Sequence, residues 1–200
     1  MIATDTESLT GKLLIAMPGM NDPRFAGSVV LVCAHGEQGA MGLVLNRPLP
    51  EIRFADLLGQ LGIDAPGQIP PLPVHFGGPV EPGRGFVLHR MQADDDADPD
   101  EGDGEGGRMR IGEGGLAMTT TRDILEDIAR GRGPDRAVLS LGYAGWGAGQ
   151  LEGELMANGW LTADAGDDIV FGADNTQKWQ AALKSLGIDP LMLSAAAGRA

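Results

Sequence analysis

Apolar residues in the first half of the chain fall into short runs or alternate with polar ones. Lys12–Met17 (KLLIAM), Ser28–His35 (SVVLVCAH) and Ala40–Asn46 (AMGLVLN) predict buried strands, the last two joined by turn residues 36–39. Phe54–Leu61 predicts a short helix closed by Gly62, followed by strands at Val74–Phe76 and Gly85–His89. Further on, Arg108–Ile111 and Leu116–Thr119 pair as strands. Thr120, with Asp123 three residues on, offers an N-cap for a helix over Arg122–Arg130. Ala137–Leu141 predicts a strand running into a glycine-rich bend, and Gln150–Asn158 a helix stopped by Gly159. Trp160–Ala163 and Ile169–Phe171 predict short strands. A final helix from near Asp174 carries Trp179, Leu183 and Leu186 on one stripe.

Hairpins outnumber strand–helix–strand units in this reading. The expected class is therefore α+β: one domain over residues 1–200, with a mainly antiparallel or mixed sheet and about four flanking helices. A chain of 200 residues has enough sequence for a full core, and 42% of it is apolar. Gly (32) and Pro (13) make it turn-rich without making it disordered.

The formal net charge is −13, which disfavours polyanionic partners such as nucleic acid or an anionic membrane surface. That charge is unevenly spread. Residues 92–107 (QADDDADPDEGDGEGG) hold eight acids and no base, leaving a net −5 elsewhere. This stretch is expected to be a solvated loop interrupting the domain. The single cysteine, Cys33, excludes an intrachain disulfide and fits a reducing compartment. The N-terminus lacks the basic and apolar regions of a signal peptide, and no apolar run approaches the ~20 residues of a spanning helix. A cytoplasmic protein with no membrane association is expected.

Chemical motifs are scarce. Gly102-x-Gly104-x-x-Gly107 matches a dinucleotide fingerprint in letters, but carboxylates surround it and no strand precedes it. The acidic stretch resembles a calcium loop until its sixth position, which is Pro99 where that loop needs glycine. Glu152 and Glu154 would lie about 200° apart on a helix and so do not form an acid–base pair. His35, His75 and His89 sit at or near strand ends, with no spacing that makes them converge on a metal, and no cofactor is implied. Cys33 and His35 are two apart, which in a regular strand points both to one face and permits a Cys–His pair. Arg130, Arg132 and Arg136 form one basic cluster at a helix end, where they offset the helix dipole. No DNA-reading helix is legible.

Four blocks carry a resemblance. Residues 13–49 (LLIAMPGMNDPRFAGSVVLVCAHGEQGAMGLVLNRPL), 75–89 (HFGGPVEPGRGFVLH), 118–129 (MTTTRDILEDIA) and 141–161 (LGYAGWGAGQLEGELMANGWL) resemble the bacterial YqgE/AlgH family, in the family's order. The Trp179 helix and the ending LSAAAGRA fit as well, while the acidic stretch falls between blocks. The resemblance implies an α+β fold with a substantial sheet in a bacterial cytoplasm. It implies no established molecular activity; the family is commonly labelled a transcriptional regulator through an association with alginate production.

Within the matched blocks, Asn21-Asp22-Pro23 predicts an Asx-type turn. Asn46-Arg47-Pro48 ends a strand and offers a guanidinium fork for a carboxylate or phosphate. Gly77-Gly78 and Gly142–Trp146 are tight segments where backbone can approach a ligand, or simply turns. Tyr143 and Trp146 add an amphipathic wall. The preferred reading is a non-enzymatic binding or regulatory protein. Asn46, Arg47, Gly77, Gly78, Tyr143 and Trp146 are its candidate contacts, and its partner is an unidentified protein or a small anionic ligand. Two alternatives stay open: an enzyme using His35 with Asp22 or Cys33, and a direct DNA-binding regulator, which is disfavoured.

Overall fold

The computed structural model describes residues 8–65, 67–92 and 107–196. The acidic stretch at 92–107 lies, apart from its first and last residues, outside them. The described elements are β1 (Lys12–Ala16), β2 (Val29–Gly36), β3 (Gly39–Val44), α1 (Phe54–Gln60), β4 (Val74–Phe76), β5 (Val80–Arg90), β6 (Arg108–Ile111) and β7 (Leu116–Thr119). There follow α2 (Arg122–Ala129), β8 (Ala137–Gly147), α3 (Gln150–Met156), β9 (Trp160–Asp164), α4 (Asp167–Val170), α5 (Lys178–Ser185) and α6 (Pro190–Ala196). All nine strands join one sheet in the order β6-β7-β5-β8-β3-β2-β1-β9, with β4 added parallel to β8. Every other pairing is antiparallel, so the protein is α+β.

β8 is the seam of this sheet. Its first half pairs with β4 and β5 at residues 137–141, and its second half pairs with β3 from Ala144 to Gly147. The two halves meet at Gly142, whose φ of +72° puts a left-handed kink in mid-strand. The sheet curls until Ile111 of β6, at one end of the strand order, shares a core with Leu31 and Leu13 of β2 and β1. On that inner face α4 and α5 cover β1 and β2, with Trp179 Nε1 donating to the Ala16 carbonyl at 2.9 Å. The opposite face of β1–β3 carries α3 and the Trp146–Trp160 cluster, while α1 and α2 cover the outer face of β5 and β8.

Four local expectations differ from the structure. The glycine-rich bend after Leu141 is instead a continuation of β8, because glycine absorbs the kink and the ladder resumes beyond it. Residues 169–171 are not a strand: Asp167 and Asp168 occupy the first turn of α4, where the dipole favours acids, and the apolar Ile169 and Val170 are its buried face. The terminal helix begins at Lys178, with Asp174 folded into a turn on Thr176, and α6 follows it. Thr121 rather than Thr120 sits at the N-cap of α2, since the Thr120 hydroxyl donates to the Gly107 carbonyl. No helix among the described residues is long and apolar enough to cross a membrane.

Candidate functional site

Cys33 and His35 do not share a face. The register of β2 against β3 shifts between Val32 and Ala34, a bulge that inserts one residue into the alternation. Cys33 consequently packs in the inner core beside Leu31 and Leu43, where burial pushes its thiol up to about 12. His35 is carried to the α3 side, where Nε2 lies 2.9 Å from Glu152 Oε1. The Leu9 N–H donates to Nδ1 at 3.2 Å, so the ring proton resides on Nε2 and points at the carboxylate. Both ring nitrogens are thus engaged. Glu152 is held below the usual carboxyl range by its own helix-terminal N–H first and by His35 second.

Asp22 is equally committed. Its Oδ1 accepts the Arg24 backbone N–H at 2.9 Å, closing the Asx turn, and both its oxygens accept from the Arg24 guanidinium at 2.7–3.1 Å. The guanidinium bonds lower its carboxyl below the ordinary value. Neither Asp22 nor Cys33 reaches His35, so the residues considered for acid–base or nucleophilic chemistry are kept apart.

The other histidines face different partners. His75 Nε2 lies 3.1 Å from Asn175 Oδ1, while its buried Nδ1 has no partner among the described residues. Desolvation lowers its pKa, and the nearby Lys178 charge lowers it further. His89 Nε2 meets Thr119 Oγ1 at 2.9 Å. Among the described residues no three His, Cys, Asp or Glu groups are placed to share a metal ion.

Asn46 and Arg47 work on their own chain. Asn46 Oδ1 accepts from the Val29 N–H and its Nδ2 donates to the Gly27 carbonyl, both at 2.9 Å, while Arg47 Nη2 donates to the Ala26 carbonyl at 3.1 Å. Together they pin the loop before β2. Gly77 and Gly78 lie flush against β8: a Cβ on Gly77 would strike the Gly142 carbonyl, and one on Gly78 the Tyr143–Ala144 peptide. Each arginine of the basic cluster lies beside an acid, Arg130 on Glu126, Arg132 on Asp127 and Arg136 on Asp167, with Glu126 also paired to Arg122 and Asp167 to Arg90.

Among the described residues, Tyr143 and Trp146 line one cavity together. It is a trough of about 680 Å³ on the inner face, between β3, β5, β6 and β8, beyond the cover of α5. Met41, Phe86, Met109 and Met118 supply its apolar lining, and the Phe86 and Tyr143 rings meet edge to face at 5.8 Å. Its charged lining residues are Arg84 and Arg108. The Arg84 guanidinium lies 5.2 Å over the Phe86 ring and pairs with Glu81 at 3.3 Å, both partners half exposed. Such an exposed pair contributes little and leaves Arg84 able to exchange partners. Sequence reasoning missed Arg84, Phe86 and Arg108. Arg84 and Phe86 are two apart in β5, and that spacing was the available signal for a cation beside an aromatic face.

The AlgH-like family model matches residues 13–191. The UPF0301 protein of Paracoccus denitrificans is 65% identical over 195 residues, covering 98% of each chain. The UPF0301 protein of Jannaschia sp. is 55% identical over 195 residues, covering 98% of this chain and 97% of the other. The solution structure of AlgH from Pseudomonas aeruginosa matches with a TM-score of 0.72 at 41% identity, over the whole of both chains. Protein DIP2367 from Corynebacterium diphtheriae shares the fold, with a TM-score of 0.71 at 21% identity over 96% of this chain and 92% of the other. A family match over nearly the whole chain, together with full-length relatives at this identity, places it: the chain belongs to the AlgH-like family.

Proposed function

We propose that this chain is a non-enzymatic, regulatory binding protein of the cytoplasm whose inner-face trough takes a small anionic ligand with an apolar or aromatic part. The observation that carries this reading is the Arg84 guanidinium, 5.2 Å over the Phe86 ring, in a trough whose other charged described lining residue is Arg108. Cations beside aromatic faces suit an anion joined to an apolar body, the guanidinium forks taking the charge and Tyr143 and Phe86 the body. The engagement of both His35 nitrogens and the burial of Cys33 support binding over turnover. The formal net charge of −13, with each of Arg130, Arg132 and Arg136 beside a carboxylate, weighs against a DNA-facing surface.

Titration with phenyl phosphate, inorganic phosphate and benzyl alcohol, followed by tyrosine and tryptophan fluorescence, tests the reading. Phenyl phosphate should bind more tightly than either fragment, Arg84→Gln should weaken it about tenfold, and no phenol should be released. Equal binding of benzyl alcohol, or steady release of phenol, would overturn it.

A further inference from the structure

A second cavity, of about 610 Å³, lies between the loop after β1, the end of α3 and the second half of β8. It shares Trp146 with the trough, yet its charge is of the opposite sign. Its charged lining residues are Asp22, Arg24 and Glu154, and the first two close on each other as an ion pair. Glu154 is left with neutral donors. Its Oε2 accepts the indole N–H of Trp146 at 2.9 Å and of Trp160 at 2.7 Å, and its Oε1 accepts the Gln150 amide at 3.0 Å. These bonds fix the carboxylate without cancelling its charge. They also fill both acceptor positions of Oε2 and leave one on Oε1.

The wall beside this carboxylate is aromatic and soft. Phe25 stacks on Trp146 with ring centroids 6.3 Å apart, and Met17 and Met20 extend the apolar surface. Aromatic faces attract cations, and the Arg24 guanidinium already lies 5.8 Å from the Phe25 centroid. We infer that this cavity binds an organic ammonium ion, its head on Glu154 Oε1 and its alkyl stem along Phe25, Trp146 and the methionines. A guanidinium is the poorer fit, because its planar fork needs two carboxylate acceptor positions side by side and Oε2 has none left. The ammonium head is carried either by a free amine or by a lysine side chain. This site is independent of the anionic trough, and either can fail without the other.

The test uses the full chain labelled with ¹⁵N, in which the indole N–H signals of Trp146 and Trp160 report on the cavity and that of Trp179 is the internal control. Butylammonium should shift the first two saturably and leave Trp179 unmoved. Butylguanidinium should bind several-fold more weakly, and butanol should produce no saturable shift. Glu154→Gln, checked for folding by its amide spectrum, should weaken butylammonium about tenfold. Phe25→Leu, which leaves the carboxylate and its donors in place, should weaken it about threefold and serves alone if the Glu154→Gln variant does not fold. A short acetylated lysyl peptide binding more tightly than butylammonium assigns the site to a protein lysine, and equal binding assigns it to free amines. The inference is overturned if butanol shifts the indoles as butylammonium does. Wild-type affinity in folded Glu154→Gln also overturns it, as does wild-type affinity in Phe25→Leu.

Discussion

Cys33 and His35, two residues apart on β2, lie on opposite faces of the sheet because the strand bulges at Cys33. The thiol sits in a closed apolar core with its ionisation pushed up to about 12, so it is neither exposed nor a thiolate near neutral pH. Modification of the native protein by a disulfide reagent at pH 8 should be at least about a hundredfold slower than in urea, and its rate should follow unfolding. Rapid labelling of the native chain would place the thiol in a reactive environment and refute this arrangement.

Gly78→Ala should destabilise the fold by on the order of 3 kcal/mol, since its new methyl meets the Tyr143–Ala144 backbone rather than a side chain that can turn away. The Gly83→Ala change, at a position with open space around it, is the control and should cost less than about 1 kcal/mol. Urea midpoints of the two variants decide the matter. Comparable losses would mean that the contact of Gly78 with β8 is not what the position demands.

Asn46→Ala should cost about 1–3 kcal/mol, because it strands the Val29 N–H at the start of a buried strand and frees the Gly27 carbonyl. Binding of phenyl phosphate in the trough should be unchanged once the variant is folded. A variant of full stability that has lost ligand binding would make Asn46 a ligand contact after all.

Lys178 is buried, and among the described residues the Leu45 and Val170 carbonyls, at 2.9 and 3.3 Å, hold its ammonium. Burial lowers its amine from 10.5 to about 8, so between those values the unfolded chain carries the extra proton. Stability should rise with pH across this window, while below 8 both states are charged and the cost of the buried cation is present in full. The gain is at most about 3 kcal/mol. Urea titrations of wild type and Lys178→Met between about pH 7 and pH 10 should diverge above pH 8, the wild type gaining relative to the variant. Parallel profiles would show that the amine is not desolvated.

Much of the sheet was legible because strands buried on one or both faces write themselves as alternation or short apolar runs, as in KLLIAM and SVVLVCAH. The elements misread are those where the local signal is ambiguous. Residues 169–171 are three large apolar residues in a row, which suits a strand as well as the buried face of the one-turn α4. In β8, Gly142 reads as a stop although the ladder continues past it. The site was harder, since its geometry is tertiary. His35 finds Glu152 across 117 positions, and Glu154 finds Trp146 and Trp160 at spacings of 8 and 6. The divergence of Glu152 and Glu154 was legible from helix geometry, but where each one goes was not. The bulge at Cys33 leaves no mark in composition, and without it strand alternation would bring the Cys–His pair to one face.

The position of β8 in the chain has a consequence for synthesis. β3 and β5 both wait for a strand that begins at Ala137, and β1 waits for β9, so a nascent chain that has made β1–β7 still exposes the unpaired edges of all three. Productive closure is therefore a late, cooperative event, and the ribosome-bound intermediate is the state most exposed to aggregation. Chains arrested before residue 137 should need chaperone protection that full-length chains do not, and arrest with β8 and β9 both clear of the ribosome should relieve it.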